Sequence, residues 1–99
     1  KFAGPPADVW ALGVILYECL TGARPFGGET AHQVLANVRG KRPRPPRSLN
    51  PEVPEDLELI CLRCLEKRPL HRYSTAGELA NDLMWFLRGE PISARPVDA

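Results

Sequence analysis

Apolar positions along this chain recur at helical spacing in four places and at strand spacing in none. From Ala7 to Leu20 the run ADVWALGVILYECL is apolar nearly all the way round, the pattern of a helix enclosed on every side. Asp8 stands at its start, where a carboxylate can cap free backbone N–H groups and meet the positive end of the helix dipole. Thr21-Gly22 stops it, with Gly22 suited to the left-handed residue beyond a helix end. Before it, Gly4, Pro5 and Pro6 predict an irregular lead-in over residues 1–6. Thr30-Ala31-His32-Gln33 has the T-x-x-Q form of a capping box and opens a short helix that ends near Gly40, with Val34, Leu35 and Val38 as its apolar stripe. The next stretch, GKRPRPPRSLNPEVP, carries five prolines in fifteen residues, which predicts a loop. Pro54 suits the first position of a third helix, which runs to about Lys67 and ends at Arg68-Pro69. Thr75-Ala76-Gly77-Glu78 is a second capping box. The helix it opens carries a predicted buried stripe of Ala76, Leu79, Ala80, Leu83 and Leu87, and Gly89 closes it. The tail EPISARPVDA reads as an extended linker. The expectation is an all-α unit over residues 1–90 followed by a linker over 91–99.

This pattern contains a mismatch. The first helix asks for cover on all sides, while the three other helices are short and amphipathic and can hide only about half of it. A missing partner is implied. The chain also opens Lys1-Phe2-Ala3-Gly4, without an initiator methionine or a signal-peptide pattern. Both observations predict a fragment of a larger domain, one that made alone dissolves poorly and melts without cooperativity.

Composition changes little in this picture. The formal net charge of +1 gives no support for bulk nucleic acid or an acidic membrane as partner, and no apolar run approaches the roughly 20 residues of a membrane span. The expected setting is cytoplasmic, with no membrane contact by this segment, and a membrane anchor of the parent outside this segment is left open. Three cysteines, Cys19, Cys61 and Cys64, make an odd count and argue against a disulfide framework. Cys61-Leu62-Arg63-Cys64 has the form of a redox pair or half a zinc site. However, Leu57, Ile60, Cys61, Cys64 and Leu65 fall on one helical face, and no second ligand pair exists, so core packing is the better reading. His32 and His71 have no serine or cysteine arrangement around them resembling a triad. Glu55-Asp56 lies at a helix start, where the dipole explains it. The run Lys41-Arg42-Pro43-Arg44-Pro45-Pro46-Arg47 could meet an acidic partner, or offer Pro43-x-x-Pro46 to an aromatic groove; a solvated loop is the plainer account.

Two motifs carry a resemblance. Asp8-Val9-Trp10-Ala11-Leu12-Gly13-Val14-Ile15-Leu16-Tyr17-Glu18-Cys19-Leu20-Thr21-Gly22, followed by Arg24-Pro25-Phe26, resembles the large central helix of a protein kinase C-terminal lobe. Cys64-Leu65-Glu66-Lys67-Arg68-Pro69-Leu70-His71-Arg72-Tyr73 resembles a later segment of the same lobe, and DLMWFLRGEPISARP is similar to the close of the kinase domain in bacterial serine/threonine kinases. The likeness covers about Phe2 to Pro96. It implies a kinase parent that moves the ATP γ-phosphate to a serine or threonine hydroxyl, with ATP and Mg²⁺ as cofactors and a protein as substrate. It also implies that the remainder of the kinase domain is this chain's partner. Asp8 matches the aspartate that hydrogen-bonds the catalytic-loop backbone, and Arg72 the arginine that pairs with the glutamate ending the activation segment. Trp10 matches a position near the substrate-side loop, and Gly13 a point of close chain approach. The phosphate-covering glycine loop, the phosphate lysine, the catalytic aspartate and the magnesium aspartate of the family have no match here. No catalytic, cofactor-binding or metal-ligating residue is therefore assigned to this chain. The resemblance leaves open a pseudokinase, or a helical interaction scaffold that uses the basic proline-rich loop. An arginine parted from its glutamate is expected to be exposed or mispaired at Arg72.

Overall fold

The computed structural model describes residues 5–94. Among them the chain forms five α-helices, one turn of 3₁₀ helix and no strand, in the order α1 Pro5–Thr21, α2 Ala31–Gly40, α3 Pro46–Leu49, α4 Glu55–Cys64, the 3₁₀ turn Pro69–His71 and α5 Ala76–Leu87. The all-α expectation holds. Its details shift where local chemistry outweighs periodicity.

The central helix begins at Pro5, inside the segment expected to be irregular. Proline is tolerated in a first turn, where its missing N–H has no intrahelical acceptor to lose. Residues 1–4 of that expected lead-in lie outside the described residues. The same early start puts Asp8 on the fourth residue of the helix, in its first turn but not at its cap. Proline explains the second departure too. Pro46 opens the four-residue helix α3 in the middle of the expected loop, and it is buried.

Both capping boxes form, in a slightly stretched version. Thr30 Oγ1 accepts the Gln33 N–H at 3.1 Å, and Gln33 Oε1 accepts the Glu29 N–H at 2.7 Å. Thr75 Oγ1 accepts the Glu78 N–H at 3.1 Å, and Glu78 Oε1 accepts the Ser74 N–H at 2.9 Å. In each case the returning bond lands one residue before the cap. Gly22 and Gly89 carry the left-handed backbone that ends α1 and α5, with φ of +75° and +73°.

The core lies between α1, α4 and α5. Val9, Ile60, Cys64, Tyr73, Leu79 and Ile92 form one buried cluster, and Tyr17, Cys61 and Leu65 a second. Gly13 brings α1 and α4 together: a Cβ there would lie 2.4 Å from the Cβ of Cys64. Cys61 Sγ lies 3.7 Å from the Gly13 carbonyl. Both members of the C-x-x-C are thus closed into a helix–helix seam, and burial pushes each thiol up to about 12. Neither is a ready nucleophile at neutral pH.

Three sequence expectations are corrected by this packing. Helix α4 stops at Cys64 and not near Lys67; the chain turns so that the Glu66 and Lys67 carbonyls face Arg72. The buried face of α5 is Leu79 and Asp82 with half-buried Leu83 and Phe86, while Ala76, Ala80 and Leu87 are exposed. The apolar stripe was read from hydropathy, and the core side of the helix includes a carboxylate. Finally, residues 91–94 of the expected linker are docked: Ile92 is buried, and Ser93 and Ala94 donate backbone N–H groups to Asp82 at 2.7 and 3.0 Å. Positions 95–99 of that linker lie outside the described residues.

Candidate scaffold site

The central helix presents two unlike sides. Val9, Gly13 and Tyr17 turn inward and are buried. Asp8, Leu12, Ile15 and Cys19, spaced by four, three and four residues, run along another side and are exposed. Leu12 and Ile15 are 41% and 58% exposed. Beside them α5 contributes Ala76, Leu79, Ala80 and Leu83, and together the two helices line an apolar groove of about 290 Å³. Asp8 stands at the head of this stripe, and its carboxylate makes no hydrogen bond or ion pair to another described residue. A helix built almost wholly of apolar residues thus has half its girth covered. The remaining half is a bare stripe with one carboxylate at its N-terminal end.

Trp10 and Arg72, far apart in sequence, meet on a third side of α1. The Trp10 ring stacks on Phe26 with centroids 5.6 Å apart and planes 7° from parallel. The Arg72 guanidinium lies 4.8 Å from the Trp10 ring centre, and Lys67 Nζ lies 4.1 Å from that of Phe26. Two cations on two stacked rings gain from the negative ring faces. Arg72 is half-buried, donating from Nε to the Glu66 carbonyl at 2.7 Å and from Nη2 to the Lys67 carbonyl at 3.2 Å. The arginine expected to be exposed or mispaired is half-buried, and its contacts include carbonyls that the early end of α4 releases. Burial and nearby Arg42 lower the Lys67 ammonium from its ordinary value. A cleft of about 460 Å³ opens over this group, lined by Ala7, Trp10, Val38, Arg39, Lys67 and Arg72.

The four residues singled out from sequence therefore do not converge. Trp10 and Arg72 touch, Gly13 lies in the α1–α4 seam, and Asp8 heads the open stripe. Phe26, Lys67 and Asp82 were not singled out. Phe26 belongs to the first kinase-like motif, but nothing in its spacing marks it as the platform under Trp10. Asp82 lies mid-helix between Leu79 and Leu83, an acidic residue that the cap of α5 does not use, a weak signal that a buried partner could have explained.

The proline-rich segment is fastened down. Tyr17 donates its hydroxyl to the Arg44 carbonyl at 2.7 Å, and the Arg47 N–H donates to the Glu58 carboxylate at 2.8 Å. Pro46 is buried and helical, so Pro43-x-x-Pro46 does not present two prolines to an aromatic groove. Among the described residues no group of three histidine, cysteine or acidic side chains could hold a metal ion. No described helix is long and apolar enough to cross a membrane.

Known proteins match this chain closely. The protein kinase domain family model matches residues 1–86. The tyrosine-protein kinase MasK of Myxococcus xanthus is 46% identical over 81 residues, which is 82% of this chain and 12% of that protein. The serine/threonine-protein kinase PknB of Mycobacterium tuberculosis is 38% identical over 91 residues, 92% of this chain and 14% of its own length. The serine/threonine-protein kinase PrkC of Bacillus subtilis is 41% identical over 78 residues, 78% of this chain and 12% of that protein. The chain thus spans only 12–14% of these relatives. With a family match over nearly its whole length, the chain belongs to the protein kinase domain family.

Proposed function

We propose that this chain is the later part of the helical lobe of a bacterial serine/threonine protein kinase, inactive alone, which supports the catalytic loop and the substrate side of its parent. The observation that carries this reading is the bare stripe Leu12, Ile15 and Cys19, headed by Asp8, whose carboxylate contacts no other described residue. An apolar face of this kind costs free energy in water and gains it under a cover. A carboxylate at its edge can accept backbone N–H groups of the segment that supplies that cover. In the parent the cover is the upstream kinase domain, Asp8 holds the catalytic-loop backbone, and Arg72 meets the glutamate that ends the activation segment. ATP and Mg²⁺ are bound upstream, and the γ-phosphate goes to a serine or threonine of a protein substrate in the cytoplasm. Two of the three relatives named above are serine/threonine kinases and one is a tyrosine kinase; the closing segment of this sequence favours the former. The docked structural unit includes residues 91–94.

The deciding experiment extends the chain upstream to the full-length protein and measures transfer of labelled phosphate from ATP to protein, followed by phosphoamino-acid analysis. Label on serine and threonine is expected. Asp8→Ala is expected to lower the rate by about 10²-fold, the scale of a misplaced catalytic element. A full-length protein that binds ATP without transferring phosphate turns the reading into a pseudokinase. Transfer that is indifferent to Asp8→Ala removes Asp8 from the scaffold.

A further inference from the structure

Asp82 is completely buried, yet it lies in the middle of an otherwise apolar packing face. Its carboxylate accepts four hydrogen bonds. The Tyr73 hydroxyl donates to Oδ2 at 2.5 Å, the Ser93 N–H to Oδ1 at 2.7 Å, the Ser93 hydroxyl to Oδ2 at 2.9 Å and the Ala94 N–H to Oδ2 at 3.0 Å. Three of those four donors belong to the segment after α5. That segment also places Ile92 in the cluster with Val9, Ile60, Cys64, Tyr73 and Leu79. The end of the described chain is therefore latched to α5, with Ile92 packed beside Val9 of the central helix, and the latch is one residue's hydroxyl and two backbone amides on one carboxylate.

Ser93 is the exposed member of this latch. Its Oγ faces Asp82 on one side and accepts a weak 3.3 Å bond from Arg63 Nη1 on the other. Arg63 is itself placed over the Tyr73 ring, 4.5 Å from its centre. Chemistry at this hydroxyl has a direct consequence. A phosphorylated Oγ has no proton to donate, and it brings a charge of about −1.5 to −2 into contact with a buried carboxylate. Arg63 offers one partial counter-charge, from a site already engaged with the tyrosine ring. Like-charge repulsion at hydrogen-bonding distance then outweighs what the latch retains.

We propose that Ser93 is a phosphorylation site whose modification releases the segment Glu90–Ala94 from the Asp82 latch. In the step, Ser93 Oγ attacks the γ-phosphorus of a nucleoside triphosphate bound to a serine kinase. The bond from that phosphorus to the β,γ-bridging oxygen breaks, the hydroxyl proton passes to that kinase's base, and the nucleoside diphosphate leaves. Transient opening of the short docked segment delivers Ser93 to the kinase, and the added phosphate then prevents it from reclosing. Ile92 leaves the cluster that also holds Val9, next to Asp8. The inference does not depend on the parent's own activity, because any serine kinase can install the phosphate.

The test uses the full-length protein in two arms. Protein purified from its own cells with phosphatase inhibitors is mapped for phosphate in the peptide that begins at Gly89. Phosphate on Ser93 is expected, and its absence overturns the site. Separately, phosphoserine is incorporated at position 93 during synthesis, and hydrogen exchange of the Ala94 amide is followed. Exchange at least ~10-fold faster than in the unmodified protein is expected, the factor that goes with losing bonds to a charged group. Phosphatase treatment should restore protection. The comparison variant Ser93→Ala, which removes the donor without adding charge, should show a smaller change. Unaltered Ala94 protection in the phosphoserine protein overturns the latch, and equal release in Ser93→Ala overturns the role of charge.

Discussion

The covered and bare sides of α1 are made of the same kinds of residue. Val9 on one side and Leu12 and Ile15 on the other differ little in hydropathy, yet Val9 is 0% exposed and the other two 41% and 58%. What separates them is Gly13. Its missing Cβ lets α4 approach on that side alone, to a distance at which any side chain would meet Cys64. A helix that is apolar all round does not choose its contact face by hydrophobicity, because every face offers the same gain. It chooses by shape, at the place where a neighbouring backbone can come closest.

Substitutions can break this comparison, and the largest effect is expected on the covered side. Ile60→Ala should cost about 2–5 kcal/mol, the range for an emptied core site, measured by denaturant melts. Gly13→Ala adds a methyl where α1 and α4 touch and should cost about 1–3 kcal/mol through overpacking. If Gly13→Ala is silent, the close approach does not select the covered face. The bare side should respond in two ways. In the chain alone, Ile15→Ala is expected to leave the helical circular-dichroism signal unchanged, like other exposed positions, and to reduce binding of an apolar dye. In the full-length protein the same change should cost about 2 kcal/mol or more if that face is covered there. Equal effects in both would remove the argument for a covering partner.

A pH series sharpens the same contrast, because the covered side carries the buried titrating groups. Cys61 and Cys64 have thiols raised to about 12 by burial. Their folded values lie above the unfolded ones. The stability they contribute is therefore intact below the ordinary thiol value of 9.0 and is lost as pH rises from there toward 12. Alkaline melting should begin in that window and recede in the Cys61→Ala, Cys64→Ala double variant. Asp82 runs the other way. Burial would raise its carboxyl, but the bonds from Tyr73, Ser93 and Ala94 outweigh burial and leave it below its ordinary value. Its contribution is present above the ordinary carboxylate range and is lost as pH falls through the lowered value. Acid should therefore free the Ala94 amide before the α1–α4 seam opens, as hydrogen exchange can read. This is the smallest effect of the set.

Much of the fold was legible in the residues. The two capping boxes, the stops at Gly22 and Gly89, the buried C-x-x-C face of α4 and the half-covered central helix all follow from local rules that act within one turn. The kinase-like motifs around Asp8 and Arg72 were legible as well, since they are carried by residue order alone. Four features required the tertiary structure. The start of α1 at Pro5 and the helix at Pro46 were hidden because proline reads as a breaker, although a first turn accepts it. The docking of residues 91–94 was hidden because its cause, Asp82, is polar and earlier in the chain. The stack of Arg72 and Lys67 on Trp10 and Phe26 was hidden because cation–ring contacts have no sequence period.

By itself, then, the sequence determined which segments become helices, where the caps and stops fall, and which family the chain resembles. Those properties depend on backbone hydrogen bonds and residue order over a few positions. Only the tertiary structure decided which side of α1 is covered, where Arg72 finds its acceptors and how the tail is held. Each of these depends on close approach between groups far apart in the chain, and such contacts are set by packing shape and by the need of every buried polar group for a partner.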